Sequence, residues 1–132
     1  MGVRAGHFCG PDSAPVNWKV QRISRHTEKR IEHHRHEHTA DCIRLLKEQG
    51  FTCIALEVTS RSVALPDYPF NHHHKIALFT GSEQHGIEAA TLAQMDACVQ
   101  IPMFGLNTSI NVVQALSIGL YEIVRQVRST KA

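Results

Sequence analysis

Three short clusters of turn-forming and small polar residues follow one another in the C-terminal half of the chain. They are Gly81-Ser82-Glu83-Gln84-His85-Gly86-Ile87, Ile101-Pro102-Met103 and Ser109-Ile110-Asn111-Val112-Val113, and each adjoins an apolar run. Lys75 to Phe79 reads as a buried strand that Gly81 ends with a sharp turn. Ala97 to Ile101 is a second strand, stopped by Pro102, whose ring nitrogen cannot donate to a ladder. From Asn111 onward, Val113, Leu116, Leu120, Val124 and Val127 recur at three- and four-residue steps, so a long helix begins at the third cluster. Every cluster thus falls at a strand end or a helix start. That is the layout of a site built from loops.

The rest of the chain fits an α/β layer. Thr39 is a plausible N-cap, Ala40, Ile43 and Leu46 mark one helical face, and Gly50 suits the residue just past the helix end. Thr52 to Val58 is apolar or β-branched at most positions, as a strand covered on both faces requires. The order helix, strand, loop, strand, helix, strand, helix predicts an α/β fold with a mainly parallel sheet and flanking helices. Residues 1–18 hold Gly2, Gly6, Gly10, Pro11 and Pro15 without periodicity and read as a flexible leader. Residues 19–132 then form one domain, with an Arg- and His-rich polar stretch over 19–38. A chain of 132 residues is long enough for one modest core.

Several function classes lose support. The formal net charge of +2 neither demands nor excludes a nucleic-acid partner. Cys9, Cys42, Cys53 and Cys98 form no CxxC pair, and the last three read as small buried hydrophobes of a reducing compartment. No apolar run is long enough to cross a bilayer, so the expected location is cytoplasmic. Gly81 and Gly86 have phosphate-loop spacing, but Ile87 and Glu88 stand where Lys and Ser or Thr belong. Neither a dinucleotide fingerprint nor a G-x-S-x-G elbow is present. Alternation of His34, His36 and His38 would put three imidazoles on one strand face, a legitimate metal geometry. No spaced cysteine or carboxylate completes a recognisable set, and His72, His73 and His74 fall in an expected polar loop, so no metal is expected.

Taken together, the three clusters resemble the cofactor loops of the SpoU/TrmH-type RNA 2'-O-ribose methyltransferases of the SPOUT superfamily. That family's signature reads roughly G-x-E-x-x-G-I, I-P-M and S-L-N-V-S; here it is G-S-E-Q-H-G-I, I-P-M and S-I-N-V-V. The resemblance covers about Val20 to Gln126 and is strong after Phe51. It implies a C-terminal trefoil knot, which no periodicity argument could supply. It implies S-adenosyl-L-methionine as cofactor, methyl transfer to a ribose 2'-oxygen of transfer or ribosomal RNA, and a homodimer. In such a dimer the terminal helix packs across a two-fold axis, where Ala115, Ser117 and Gly119 would allow close approach.

By the same resemblance Gly81, Ile101 and Ile110 contact the cofactor, with Gly86 and Met103 beside them and Leu56 at the end of the preceding strand. Glu83, Ser109 and Asn111 match the polar positions that orient substrate and catalytic groups. Glu83 could also be only a helix N-terminal carboxylate, and Ser109 or Asn111 a helix cap. His85 reads as a variable loop position. Arg22, Arg25 and Arg30 match a region where the RNA backbone is thought to lie, and phosphate contact is the reason for such a cluster. A solvated polar face is the other reading.

One motif is missing. The family begins with a strand and helix carrying N-x-x-x-x-x-R, whose arginine is regarded as activating the 2'-hydroxyl. Asn17 and Arg22 are one residue too close and follow no apolar strand. The chain therefore reads as the family without its first βα unit, N-terminally incomplete. The alternative function is a non-catalytic RNA- or cofactor-binding relative or partner subunit.

Overall fold

The computed structural model describes residues 5–9, 32–81, 86–103 and 112–131. In chain order its elements are β1 (Ala5–Cys9), β2 (Glu32–His36), α1 (Thr39–Glu48), β3 (Thr52–Leu56), β4 (Val63–Ala64), 3₁₀ turns at Leu65–Asp67 and Phe70–His72, β5 (Ile76–Phe79), α2 (Ala89–Leu92), β6 (Ala97–Gln100) and α3 (Val112–Lys131). Every helix and strand expected from periodicity after Thr39 is present, with ends shifted by a few residues. The chain packs as two units, Met1–Leu45 and Leu46–Ala132.

In the first unit, β1 and β2 pair in parallel, with His7 opposite His34 and Cys9 opposite His36. Within the segment expected as a flexible leader, residues 1–18, Ala5–Cys9 form a strand. Gly6 and His7 interrupt any apolar run there, and the strand is supported by its long-range partner, which local pattern does not reveal. The His7 ring lies 4.8 Å from His34 and 5.2 Å from His36, nearly parallel to both. Burial, and then the neighbouring His34 and His36, hold the His7 pKa below its ordinary value. The first turn of α1 also meets β1. Hydrogen bonds to Cys42 and Thr39 draw the Cys9 thiol below its usual pKa, against an upward push from burial.

The second unit holds a sheet in the order β4-β6-β3-β5, with every pairing parallel. Its core joins Ile54, Leu56, Leu65, Phe70, Val99 and Ala115, with Ile76, Leu78, Ile101 and Ile123 packed against it. Strand β3 runs through the middle of this sheet and is buried from Cys53 onward, as its apolar composition requires. Asp96 aligns the start of β6 with β3. Its carboxylate accepts the Cys53 N–H at 2.7 Å while its own N–H donates to the Cys53 carbonyl at 2.8 Å.

Helix α3 crosses the sheet on its small-residue stripe. Ala115 is in the core, and a Cβ added to Gly119 would lie 2.9 Å from Leu78 Cδ2 and 3.3 Å from Leu56 Cδ2. The close approach expected of Ala115 and Gly119 between two helices is therefore made against the protein's own sheet. Ser117 is exposed, its hydroxyl donating to the Val113 carbonyl at 2.9 Å. Ile118 and Tyr121 are the large apolar side chains that this helix leaves exposed among the described residues.

Candidate cofactor site

Because β3, β5 and β6 are parallel neighbours, their carboxyl ends meet at one edge of the sheet, the usual ligand edge of parallel α/β layers. Ala55 pairs with Phe79 and Leu56 with Val99. The residues leaving the sheet there are Glu57, Thr80–Gly81 and Ile101, so the start of two sequence clusters and the end of the preceding strand come together. The Glu57 N–H donates to the Val99 carbonyl at 2.9 Å, extending the ladder by one residue. Beyond it the chain turns back through Ser62, whose hydroxyl donates to the Glu57 carbonyl at 2.6 Å and accepts the Thr59 N–H at 2.9 Å.

The Glu57 carboxylate faces the glycine loop. One oxygen accepts the Ile87 N–H at 3.0 Å, and the other accepts the Val58 N–H at 3.2 Å. Gly86 has φ +64°, the left-handed region that side-chain-bearing residues rarely enter, and a Cβ there would lie 2.6 Å from Glu57 Oε2. At Gly81 a Cβ would overlap the backbone of Gly86 and Ile87. Gly81 and Gly86 therefore close the neck of the loop by direct backbone contact. Both glycines are required by this closure.

Of the other expected contacts, Leu56 is buried in the core, Ile101 is half-buried against it and Met103 is exposed. All three lie on the segments that leave the carboxyl edge. Glu83, Ser109, Ile110, Asn111, Arg22, Arg25 and Arg30 lie outside the described residues, as does His85. Glu57 is the site residue that sequence reading passed over. Its signal was there, a carboxylate placed directly after a buried strand at the sheet's carboxyl end. His73 sits between Tyr68 Oη (3.0 Å) and Thr52 Oγ1 (3.4 Å), in keeping with the polar loop expected there.

The model of the SpoU rRNA methylase family matches residues 1–121. The chain belongs to this family. The match reaches further toward the N-terminus than the motifs alone suggested, and it takes in β1 and β2. A tRNA (guanosine(18)-2'-O)-methyltransferase of Borreliella burgdorferi is 26% identical over 137 residues, covering 97% of this chain and 61% of that protein. Among solved structures, the A. aeolicus TrmH/SpoU tRNA modifying enzyme superposes with a TM-score of 0.81 at 23% identity, over 98% of this chain and 64% of the other. The SpoU methyltransferase AviRb from Streptomyces viridochromogenes, solved in complex with the cofactor AdoMet, gives 0.79 at 23% identity over 97% and 51%. This SpoU-family chain thus spans about three fifths of the length of the first two relatives.

Proposed function

We propose that this chain forms the cofactor-binding part of an S-adenosyl-L-methionine-dependent methyltransferase acting on a ribose 2'-oxygen of transfer or ribosomal RNA. The observation that carries the reading is the glycine neck at Gly81 and Gly86, held by Glu57 at the carboxyl edge of a parallel sheet, on the segments that bear the family motifs. A Cβ-free backbone surface beside apolar Leu56 and Ile101 suits the flat base and ribose of this cofactor. Gly81, Gly86, Ile101, Met103, Ile110 and Leu56 would hold it. When bound, it supplies an electrophilic methyl carbon on a sulfonium. Its placement is the protein's main contribution, since an oriented near-attack geometry is worth many orders of magnitude in effective molarity.

Glu83, Ser109 and Asn111 would then orient the acceptor ribose, and Arg22, Arg25 and Arg30 would contact RNA phosphates. The similar proteins, a tRNA 2'-O-methyltransferase and an AdoMet-bound SpoU methyltransferase, support both substrate and cofactor. The remaining parts of the reading are a trefoil knot closed by α3, a homodimer and a cytoplasmic location. Exposed Ile118 and Tyr121 offer α3 an apolar contact for a second copy. The second reading, a cofactor-binding partner without its own catalytic arginine, rests on the mismatch of Asn17 and Arg22 to N-x-x-x-x-x-R.

Calorimetry with S-adenosylmethionine, followed by transfer of its labelled methyl group to unmodified transfer RNA, tests the proposal and separates the two readings. Saturable binding is expected. Robust label in ribose 2'-O-methyl nucleosides would select the enzyme, and binding without transfer would select the partner. A folded protein with no affinity for the cofactor would overturn both. Replacing Arg22, Arg25 and Arg30 with Ala should weaken RNA binding across sequences and flatten its log-log salt dependence by about one unit per lost phosphate contact.

A further inference from the structure

We infer that His7, His36 and Cys42, with Cys9 as the fourth donor, form a binding site for a zinc-class divalent cation in the first unit. The histidine-rich stretch gave no such site from sequence because nothing nearby completed a donor set. The fold supplies what spacing did not. Parallel pairing sets Cys9 opposite His36 and His7 opposite His34. Residues two apart on a strand share a face, so His7, Cys9, His34 and His36 line one side of the β1–β2 ribbon. The first turns of α1 then bring Cys42 to that side.

Three of the four donor atoms are already gathered. His7 Nδ1 and His36 Nε2 are 3.0 Å apart, and the ligand atoms of His7, His36 and Cys42 all lie within 4.8 Å of one another. A tetrahedral zinc ion with Zn–N of about 2.0–2.1 Å and Zn–S of about 2.3 Å holds its nitrogens about 3.4 Å apart and each nitrogen about 3.6 Å from a sulfur. Small side-chain rotations bridge the difference. The Cys9 thiol is hydrogen bonded to Cys42 but lies outside this three-donor group, so its side chain would turn in to complete the set.

Donor chemistry selects the class of ion. Two imidazoles and two thiols with no carboxylate are borderline-to-soft ligands, suited to zinc and poor for magnesium or calcium. Cys42 is fully buried while His7, Cys9 and His36 are half-buried, so an ion would sit at the edge of the unit, reachable yet shielded. It would join β1, β2 and α1, three elements whose pairing spans a long stretch of sequence, and would therefore act structurally. Loss of a ligand costs at least as much as loss of its supporting hydrogen bond, about tenfold or more in affinity.

Cobalt titration of the untagged, reduced 132-residue chain tests this, because Co²⁺ reports thiolate ligation by a charge-transfer band and four-coordination by intense visible bands. One Co²⁺ per chain with both signatures is expected, displaced by Zn²⁺, together with Zn²⁺-dependent protection against thermal unfolding. Cys42→Ser should remove most of the charge-transfer intensity. If that variant fails to fold, His7→Gln decides instead, with affinity weaker by about tenfold or more. His73→Gln, in the other histidine cluster, should change nothing. A folded wild-type chain that shows no thiolate band would overturn the proposal, as would a band unaltered in folded His7→Gln or lost in His73→Gln. Recovery of Cys9 and Cys42 as a disulfide that binds no Co²⁺ after reduction would also overturn it.

Discussion

The Glu57 carboxylate accepts the Ile87 backbone N–H at 3.0 Å and would be 2.6 Å from a Cβ at Gly86, so one side chain after β3 both anchors Ile87 and favours glycine at position 86. A hydrogen bond to a charged acceptor contributes about 1.5–3 kcal/mol, and the half-exposed setting of Glu57 favours the lower end. Glu57→Ala should therefore weaken S-adenosylmethionine binding about tenfold. Glu57→Gln, which retains an acceptor oxygen, should recover part of the loss. Calorimetry on the three proteins decides the matter, and equal affinities would remove Glu57 from the site.

Much of this arrangement was legible in the sequence. The strands at Thr52, Ile76 and Ala97 were readable because each is a short apolar run bounded by a breaker, and Gly81 stood out because glycine ends one of them. What periodicity could not supply was partnership. β1 is a strand only because β2 lies beside it, and Cys42 meets His7 and His36 through a pairing between segments far apart in sequence. Glu57 was passed over for the same reason, since its partner Ile87 lies thirty positions away. The small residues Ala115, Ser117 and Gly119 were legible as a surface allowing close approach, but small residues signal proximity without saying to what, and Gly119 meets Leu78 and Leu56 of the sheet.

The two loop glycines should differ in how they respond to substitution. At Gly81 even a methyl group meets backbone of Gly86 and Ile87, which cannot rotate away, so Gly81→Ala should abolish cofactor binding and Gly81→Val should also lower thermal stability. At Gly86 the obstacle is the end of a flexible carboxylate plus a left-handed backbone costing about 1–2 kcal/mol. Gly86→Ala should fold, bind more weakly and be partly rescued by Glu57→Ala in the same chain. Additive losses in that double variant would contradict the contact, and Gln94→Ala, exposed in the turn after α2, serves as the neutral control.

Helix α3 offers a separation of stability from assembly. Gly119→Ala gains about 1 kcal/mol of helix propensity and loses a similar amount by pressing on Leu78 and Leu56, so it should be close to neutral. Gly119→Val, larger and β-branched, should destabilise by about 1–3 kcal/mol in thermal or denaturant unfolding. Neither change should alter oligomeric state, since Gly119 faces the protein's own sheet. Ile118→Asp, on the exposed side, should leave the fold intact and convert the proposed dimer to monomer in sedimentation. A dimer that survives Ile118→Asp and dissociates with folded Gly119→Ala would reverse this assignment.

Acid should act on a hydrogen-bond chain that joins α3 to the buried turn at Phe70. Gln126 Oε1 accepts the Phe70 N–H at 3.0 Å, Gln126 Nε2 donates to Glu122 Oε2 at 2.7 Å, and Arg125 donates to both Glu122 oxygens at 2.9 and 2.8 Å. The Arg125 hydrogen bonds, opposed by partial burial and helped by Gln126, hold the Glu122 carboxyl below its ordinary pKa. A carboxylate depressed in the folded state adds stability that is fully present above its unfolded pKa, about 4.3, and is lost as pH falls through the lower folded value. Wild-type melting temperature should accordingly drop across that acidic window, and Glu122→Gln should drop less steeply while matching the wild-type slope above it. Melting curves of the two proteins recorded through this window provide the measurement. Parallel pH dependences throughout would mean that Glu122 titrates alike in the folded and unfolded chains, and that Gln126 holds the Phe70 turn without its help.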